Sequence, residues 1–152
     1  MIFVTIRKPC NKKVTINNNL IQFKNMKSEK IICPVDRTLN LINKKWSIQI
    51  IRDMFFGKKH FKEFQEDKPN LSNKVLSNCL KELEENGLIE KHVLNTTPVS
   101  TEYHLTEYGK SMNRIVYELA MFTLEDEKDK GYSDETRAAL KNTFKETLKI
   151  DD

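Results

Sequence analysis

Asn73, Lys74, Ser77, Asn78 and Lys81 are the residues whose types and spacing point most directly to chemistry in this chain. They share one stripe of a helical repeat: short amides, a hydroxyl and two cations, with no acid before Glu82. Such a row hydrogen-bonds flat polar edges and pairs with phosphates, which is what a helix in a DNA major groove must do. Asn can pair bidentately with adenine, and Lys can reach guanine or the phosphate backbone. A solvated outer face has similar polarity, so the stripe acquires meaning only from the elements around it.

Those elements can be read from local signals. Ser72 is suited to cap a helix running to Glu85, and Leu71 before it can pack on Leu76 as a hydrophobic staple. Asn86-Gly87 closes that helix, with Gly87 free to turn left-handed and Leu88 placed to touch Leu83. Leu76, Leu80 and Leu83 fall at i, i+4 and i+7, so the opposite stripe is predicted to be buried. Ser72 and the free N–H groups beside it form a candidate phosphate site. Leu88 to Leu94 then has strand composition, Asn95 to Thr101 is turn-rich, and Glu102 to Leu105 resumes a strand. This two-stranded ribbon offers Lys91, His92, Asn95, Thr96 and Thr97 as further DNA-facing polar groups. Upstream, Phe61 and Phe64 predict a short helix over His60 to Asp67, with Pro69-Asn70 as the turn before the capped helix. The expected fold is mainly α with a small β-wing: a winged helix-turn-helix, a relative of the motif whose second helix reads the major groove.

Flanking helices complete the expectation. Pro34 suits the first turn of a short helix carrying Leu39, Leu41 and Ile42. A second runs from Lys45 to Phe56 on Trp46, Ile50, Ile51, Met54 and Phe55, ended by Gly57. Thr106 is predicted to cap one long helix to Leu124. Its apolar positions Tyr108, Met112, Ile115, Leu119 and Phe122 have the spacing of a helix–helix seam. A last helix from Ser133 to Lys149 places Leu140, Phe144 and Leu148 on one stripe. Helices of this kind supply either extra core or a dimer surface, and the dimer is the favoured expectation. Residues 1–30 read as a basic flexible arm, or as sequence upstream of a later start at Met26, with a small β element at Ile2 to Ile6 or Val14 to Ile16. Residues 31–125 read as the DNA-binding and dimerisation domain, and 126–152 as a helical extension.

Composition excludes some classes and weakens one easy argument. The 152 residues fit one domain, and 38% hydrophobic content supports a real core. The net charge of +4 invites a nucleic-acid reading, but residues 1–30 alone carry seven cations against one acid, leaving −2 on the remainder. Any phosphate-binding surface must come from local segregation, as in Lys68 to Lys81, which holds three Lys and no acid. No apolar run approaches the roughly 20 residues that span a bilayer, so no membrane partner is expected. Three Cys without a pairing pattern point to a reducing cytoplasm. His60, His92 and His104 are scattered in sequence, no nucleophile has a recognisable base, and no Gly-rich loop cradles phosphate, so no enzyme and no metal site are expected.

Cys33 is the one candidate for covalent chemistry. It stands beside a helix N-terminus with Lys30 and Arg37 nearby, conditions that favour a thiolate, although Asp36 opposes them. Cys79, beside Leu80, reads as a semi-buried spacer, and Cys10 lies in the arm.

The ordered set Cys33-Pro34-Val35, Lys45-Trp46, Phe61-Lys62-Glu63-Phe64, Leu71-Ser72, Leu80-Lys81-Glu82-Leu83-Glu84, Asn86-Gly87-Leu88-Ile89 and Glu102 to Gly109 resembles the HxlR-type winged-helix transcriptional regulators over residues 31–125. The resemblance implies a homodimer, paired through flanking helices, that binds a pseudo-palindromic operator in double-stranded DNA, most simply as a repressor. It implies no metal and no nucleotide cofactor. In some members a Cys at the place of Cys33 senses oxidants or electrophiles by alkylation or an intersubunit disulfide. The chain departs from the family pattern at Asn43-Lys44, at Ser100 where a basic wing residue is usual, and in its last 25 or so residues. The competing reading is a winged-helix protein–protein module without sequence-specific DNA binding.

Overall fold

The computed structural model describes residues 2–4, 14–16, 33–97, 99–126 and 128–151. It forms two compact units, residues 1–41 and 42–152. In the first unit, β1 (Ile2–Val4) pairs antiparallel with β2 (Val14–Ile16), Phe3 opposite Thr15. The helix α1 (Pro34–Leu41) follows, with Pro34 at its first position. Its missing N–H would be unsatisfied there in any case. Val35 and Leu39, one helical turn apart, are exposed.

The second unit is built around α2 (Ser47–Phe55), α3 (Asn73–Glu85) and an antiparallel ribbon of β3 (Ile89–Leu94) and β4 (Ser100–Leu105). Ile50 and Ile51 of α2, Phe64, and Leu76, Leu80 and Leu83 of α3 are almost wholly buried, with Leu88 and Ile89 at the base of the ribbon. The 3.6-residue spacing of the leucines in α3 turns one stripe inward, and Cys79 joins it. Both α2 and α3 end in the same device. Gly57 (φ 91°) and Gly87 (φ 71°) take the left-handed conformation, which costs glycine little. The next N–H groups, of Lys58 and Leu88, then reach back to the carbonyls of Asp53 and Leu83.

The connection between α2 and α3 differs from expectation. No helix spans His60 to Asp67; the segment holds only a 3₁₀ turn at Glu63–Gln65. The reason is non-local, because His60 is drawn into a β-bridge with Glu102 and Lys59 accepts from the Tyr103 N–H at 2.8 Å. Glu63 closes this turn from within, its carboxylate accepting from the N–H groups of His60 (2.7 Å) and Lys59 (2.8 Å). These bonds hold its carboxyl below the usual range, that from His60 contributing most. Beneath it the Lys68 ammonium pairs with Asp53, both side chains buried. Lys68 is therefore a structural cation and no part of a phosphate-binding run.

The long helix expected from Thr106 is two helices, α4 (Glu107–Lys110) and α5 (Asn113–Leu124). Thr106 caps α4 as anticipated, its hydroxyl oxygen accepting from Gly109 N–H at 3.0 Å. Gly109 packs so closely on the ribbon base that a Cβ there would overlap the Leu88 carbonyl oxygen. The chain then tightens through Ser111-Met112, with Met112 N–H bonded to Gly109 rather than a residue earlier. Met112, placed on the seam by spacing, is buried. The helix α6 (Asp134–Thr147), capped by Ser133, lies against α5, and its Phe144 meets Phe56 edge-to-face at 5.2 Å between centroids. Its apolar stripe thus serves this chain's own core, and Leu148 is buried. No helix among the described residues is long and apolar enough to cross a membrane.

Candidate nucleic-acid interface

The N-terminus of α3 is set by Ser72, which is extended (φ −71°, ψ 157°) and accepts from Val75 N–H at 3.3 Å. Asn73, Lys74, Ser77, Asn78 and Lys81 are all exposed, so the polar stripe stands clear of the core as expected. Val75 interrupts it with a partly exposed apolar side chain.

The stripe is not uniformly free. One amide N–H of Gln65 donates to the Asn73 side-chain oxygen at 2.8 Å and another to the Leu71 carbonyl at 2.9 Å. Gln65 therefore fixes the Asn73 side chain against the turn through its oxygen. Sequence reading missed this residue, since nothing local pairs a glutamine with an asparagine eight positions on. Lys81 pairs with Glu85 at 3.6 Å, an exposed contact that a stronger anion displaces readily. Lys44 approaches Glu82 at 3.4 Å and offsets the first acid of the helix. Cys79, on the inner side, is fully buried rather than semi-buried. Its thiol lies 3.4 Å from the Ser47 hydroxyl, and burial pushes its pKa up against that hydrogen bond. A neutral, enclosed thiol is poorly reactive.

The ribbon has the expected order, but β4 begins at Ser100, so the turn is shorter than Asn95 to Thr101. Leu94 stands opposite Ser100 and Ile89 opposite Leu105. Lys91, His92, Asn95, Thr96 and Thr97 are exposed. Register places Glu90, His92, Glu102 and His104 on one face, with Lys91, Val93 and Tyr103 on the other. Tyr103 packs edge-to-face on the buried Phe64, centroids 6.3 Å apart, anchoring the ribbon to the helices.

Here the three histidines, scattered in sequence, converge. The rings of His92 and His104 lie 4.9 Å apart. The Glu102 carboxylate lies 2.9 Å from His104 Nε2, 3.6 Å from His60 Nε2 and 2.7 Å from Lys59 Nζ. It is held below the usual carboxylate range, first by the bond from Lys59 and then by that from His104. His92 faces Glu90 at 3.1 Å. His92 is thus a member of a histidine–carboxylate cluster on one face of the ribbon as well as a polar group of the wing. Among the described residues no group of His, Cys, Asp and Glu has the arrangement to hold a metal ion.

A capped helix with an exposed amide-and-lysine face, preceded by a tight turn and followed by a two-stranded ribbon, matches the HxlR-like helix-turn-helix family model over residues 41–129. The chain belongs to this family. Its relatives include the HTH-type transcriptional regulator YodB of Bacillus subtilis, 39% identical over 89 residues, which are 58% of this chain and 80% of that protein. The Bacillus subtilis regulator YybR is 36% identical over 96 residues, covering 63% and 77%. Among solved structures, the redox regulator HypR in its oxidised form superposes with a TM-score of 0.59 at 35% identity, covering 64% of this chain and 99% of that one. Reduced YodB superposes at 0.55 with 35% identity, covering 64% and 97%. The fold is a winged helix-turn-helix, and the chain is a transcriptional regulator of the HxlR type with redox-sensing relatives. The family match ends at residue 129, before α6 begins.

Val116, Met121 and Leu124 face the core, while Ile115, Leu119 and Phe122 are exposed, Phe122 at 84%, together with Tyr108 of α4. Cys33 is partly exposed immediately before α1, its carbonyl accepting from Arg37 N–H at 3.0 Å. Cys10 and Lys30 lie outside the described residues.

Proposed function

We propose that the chain acts as a homodimeric repressor that docks α3 of each subunit in successive major grooves of a pseudo-palindromic operator. The observation that carries this reading is the exposed face of Asn73, Lys74, Ser77, Asn78 and Lys81 on a capped helix in an HxlR-type fold. Ser72 and the first N–H groups of α3 take a phosphate, Asn73, Ser77 and Asn78 read base edges, and Lys74 and Lys81 supply charge. Lys91, His92, Asn95, Thr96 and Thr97 of the wing contact the neighbouring backbone. The pair of subunits joins through the uncovered apolar face of α5.

Footprinting on the DNA upstream of the protein's own gene tests the reading. It predicts two protected half-sites about one helical turn apart and, for a repressor, overlapping the promoter. A protein that protects no DNA at any salt concentration belongs instead to the interaction-module class.

The redox part of the reading rests on Cys33. Its partial exposure before a helix N-terminus and the redox regulators among the relatives support a sensing role. With a quinone, the thiolate adds to a ring carbon, a C–S bond forms, and protons restore the aromatic hydroquinone. Operator binding by wild type is expected to change after quinone treatment and by Cys33→Ser to stay constant. Equal responses remove Cys33 from the mechanism.

A further inference from the structure

A half-open cleft of about 590 Å³ lies where α6 meets the base of the wing and the end of α2. Its size is that of a small-molecule site. Phe55, Leu105 and Leu148 supply apolar wall, and the His92–His104 pair adds two imidazole faces. The wall carries four lysines and a single carboxylate, Glu90, so its charge favours an anion. Three of those lysines are committed: Lys58 to Glu66 at 3.0 Å, Lys59 to Glu102 at 2.7 Å and Lys110 to Glu107 at 2.7 Å. Lys149 has no side-chain partner among the described residues.

The backbone at Lys149 is left-handed. Lys149 N–H bonds to the Glu146 carbonyl and Ile150 N–H to that of Lys145, the same ending found after α2 and α3. There the left-handed position is glycine; here it is Lys149, at φ 52°. A side chain at this position strains the backbone, and it places an unpaired ammonium at the cleft.

We propose that this cleft binds a small aromatic carboxylate, its ring against the apolar and imidazole wall and its carboxylate on Lys149. The wall is shared by the wing and by the end of α6, beyond the residues that the family model matches. Such a ligand would tie the wing to the rest of the unit. That consequence for operator affinity rests on the DNA-binding reading, whereas ligand binding is measured without DNA, so the two fail separately.

The test is a calorimetric titration of the full chain with 1-naphthoate and with neutral 1-naphthamide, repeated on Lys149→Gly. Glycine preserves the helix ending and relieves its strain, so this variant is expected to fold at least as stably as wild type. Saturable naphthoate binding is expected, weakened about fivefold by the substitution as suits one partly exposed ion pair, with naphthamide affinity unchanged. Proton Overhauser contacts from bound naphthoate to Phe55 and Leu148 are expected. No saturable binding, equal naphthoate affinity in the two proteins, or contacts elsewhere would overturn the proposal.

Discussion

The helices α3 and α5 are alike in build and opposite in chemistry. Each buries one stripe in the same core and turns another to the outside. On α3 the outer stripe is amide, hydroxyl and ammonium; on α5 it is Ile115, Leu119 and Phe122. A polar outer face is the default of any surface helix, and α3 gains its meaning from the cap, the turn and the wing around it. An apolar outer face needs no such context, since leaving it in water forgoes roughly 25 cal/mol for each Å² that a partner would cover. Covering the outer face of α5 is favourable in itself, whereas the outer face of α3 is favourable in water and becomes selective only against an ordered polar partner.

Substitutions can break this contrast at several points. The largest effect is expected from Leu119→Asp with Phe122→Asp. Charges on the outer face of α5 should give a monomer by sedimentation, and losing the linked second half-site should weaken operator binding by about 10²–10⁴-fold. The inner stripe comes next: Leu83→Ala, at a fully buried position, should cost about 2–5 kcal/mol in denaturant unfolding. On the outer stripe of α3, Asn78→Ala should leave stability intact and cost about 1–3 kcal/mol against the cognate base only. Lys74→Ala should weaken every sequence alike and reduce the salt slope of binding by about 1. Smallest is an acid effect. Glu63 and Glu102 have carboxyl groups lowered in the fold, so the unfolded chain binds more protons as pH drops. Their stabilisation is full above the ordinary Glu value near 4.3 and lost as pH falls through the lowered ones. Thermal unfolding of Glu102→Gln should therefore show a shallower loss on acidification than wild type.

Much of the site was legible because its signals are local. Ser72, Gly87 and the leucines of α3 lie within sixteen residues, and capping, left-handed turns and the 3.6 period act over such distances. The capped start at Thr106 and the ribbon were readable for the same reason. What escaped reading depends on residues far apart in sequence. His60 is held in a bridge by Glu102, which replaced an expected helix with a 3₁₀ turn. The Lys68–Asp53 pair and the histidine cluster need the folded ribbon and α2 side by side. The break before α5 and the close fit of Gly109 against Leu88 beside it are reported by no periodicity. The expectation of paired subunits comes from the apolar spacing of the flanking helices together with the family resemblance. The sensing expectation for Cys33 comes from its place before a helix together with that resemblance.

The most direct test of the account is fluorescence-anisotropy titration of the footprinted operator and a scrambled duplex, across salt concentrations, with wild type and Asn73→Ala/Asn78→Ala. The account predicts that wild type prefers the operator and that log K falls linearly with log salt. It also predicts that the double variant keeps the salt slope but binds both duplexes alike. A wild-type protein without salt-dependent DNA binding, or a double variant that retains full operator preference, would contradict it.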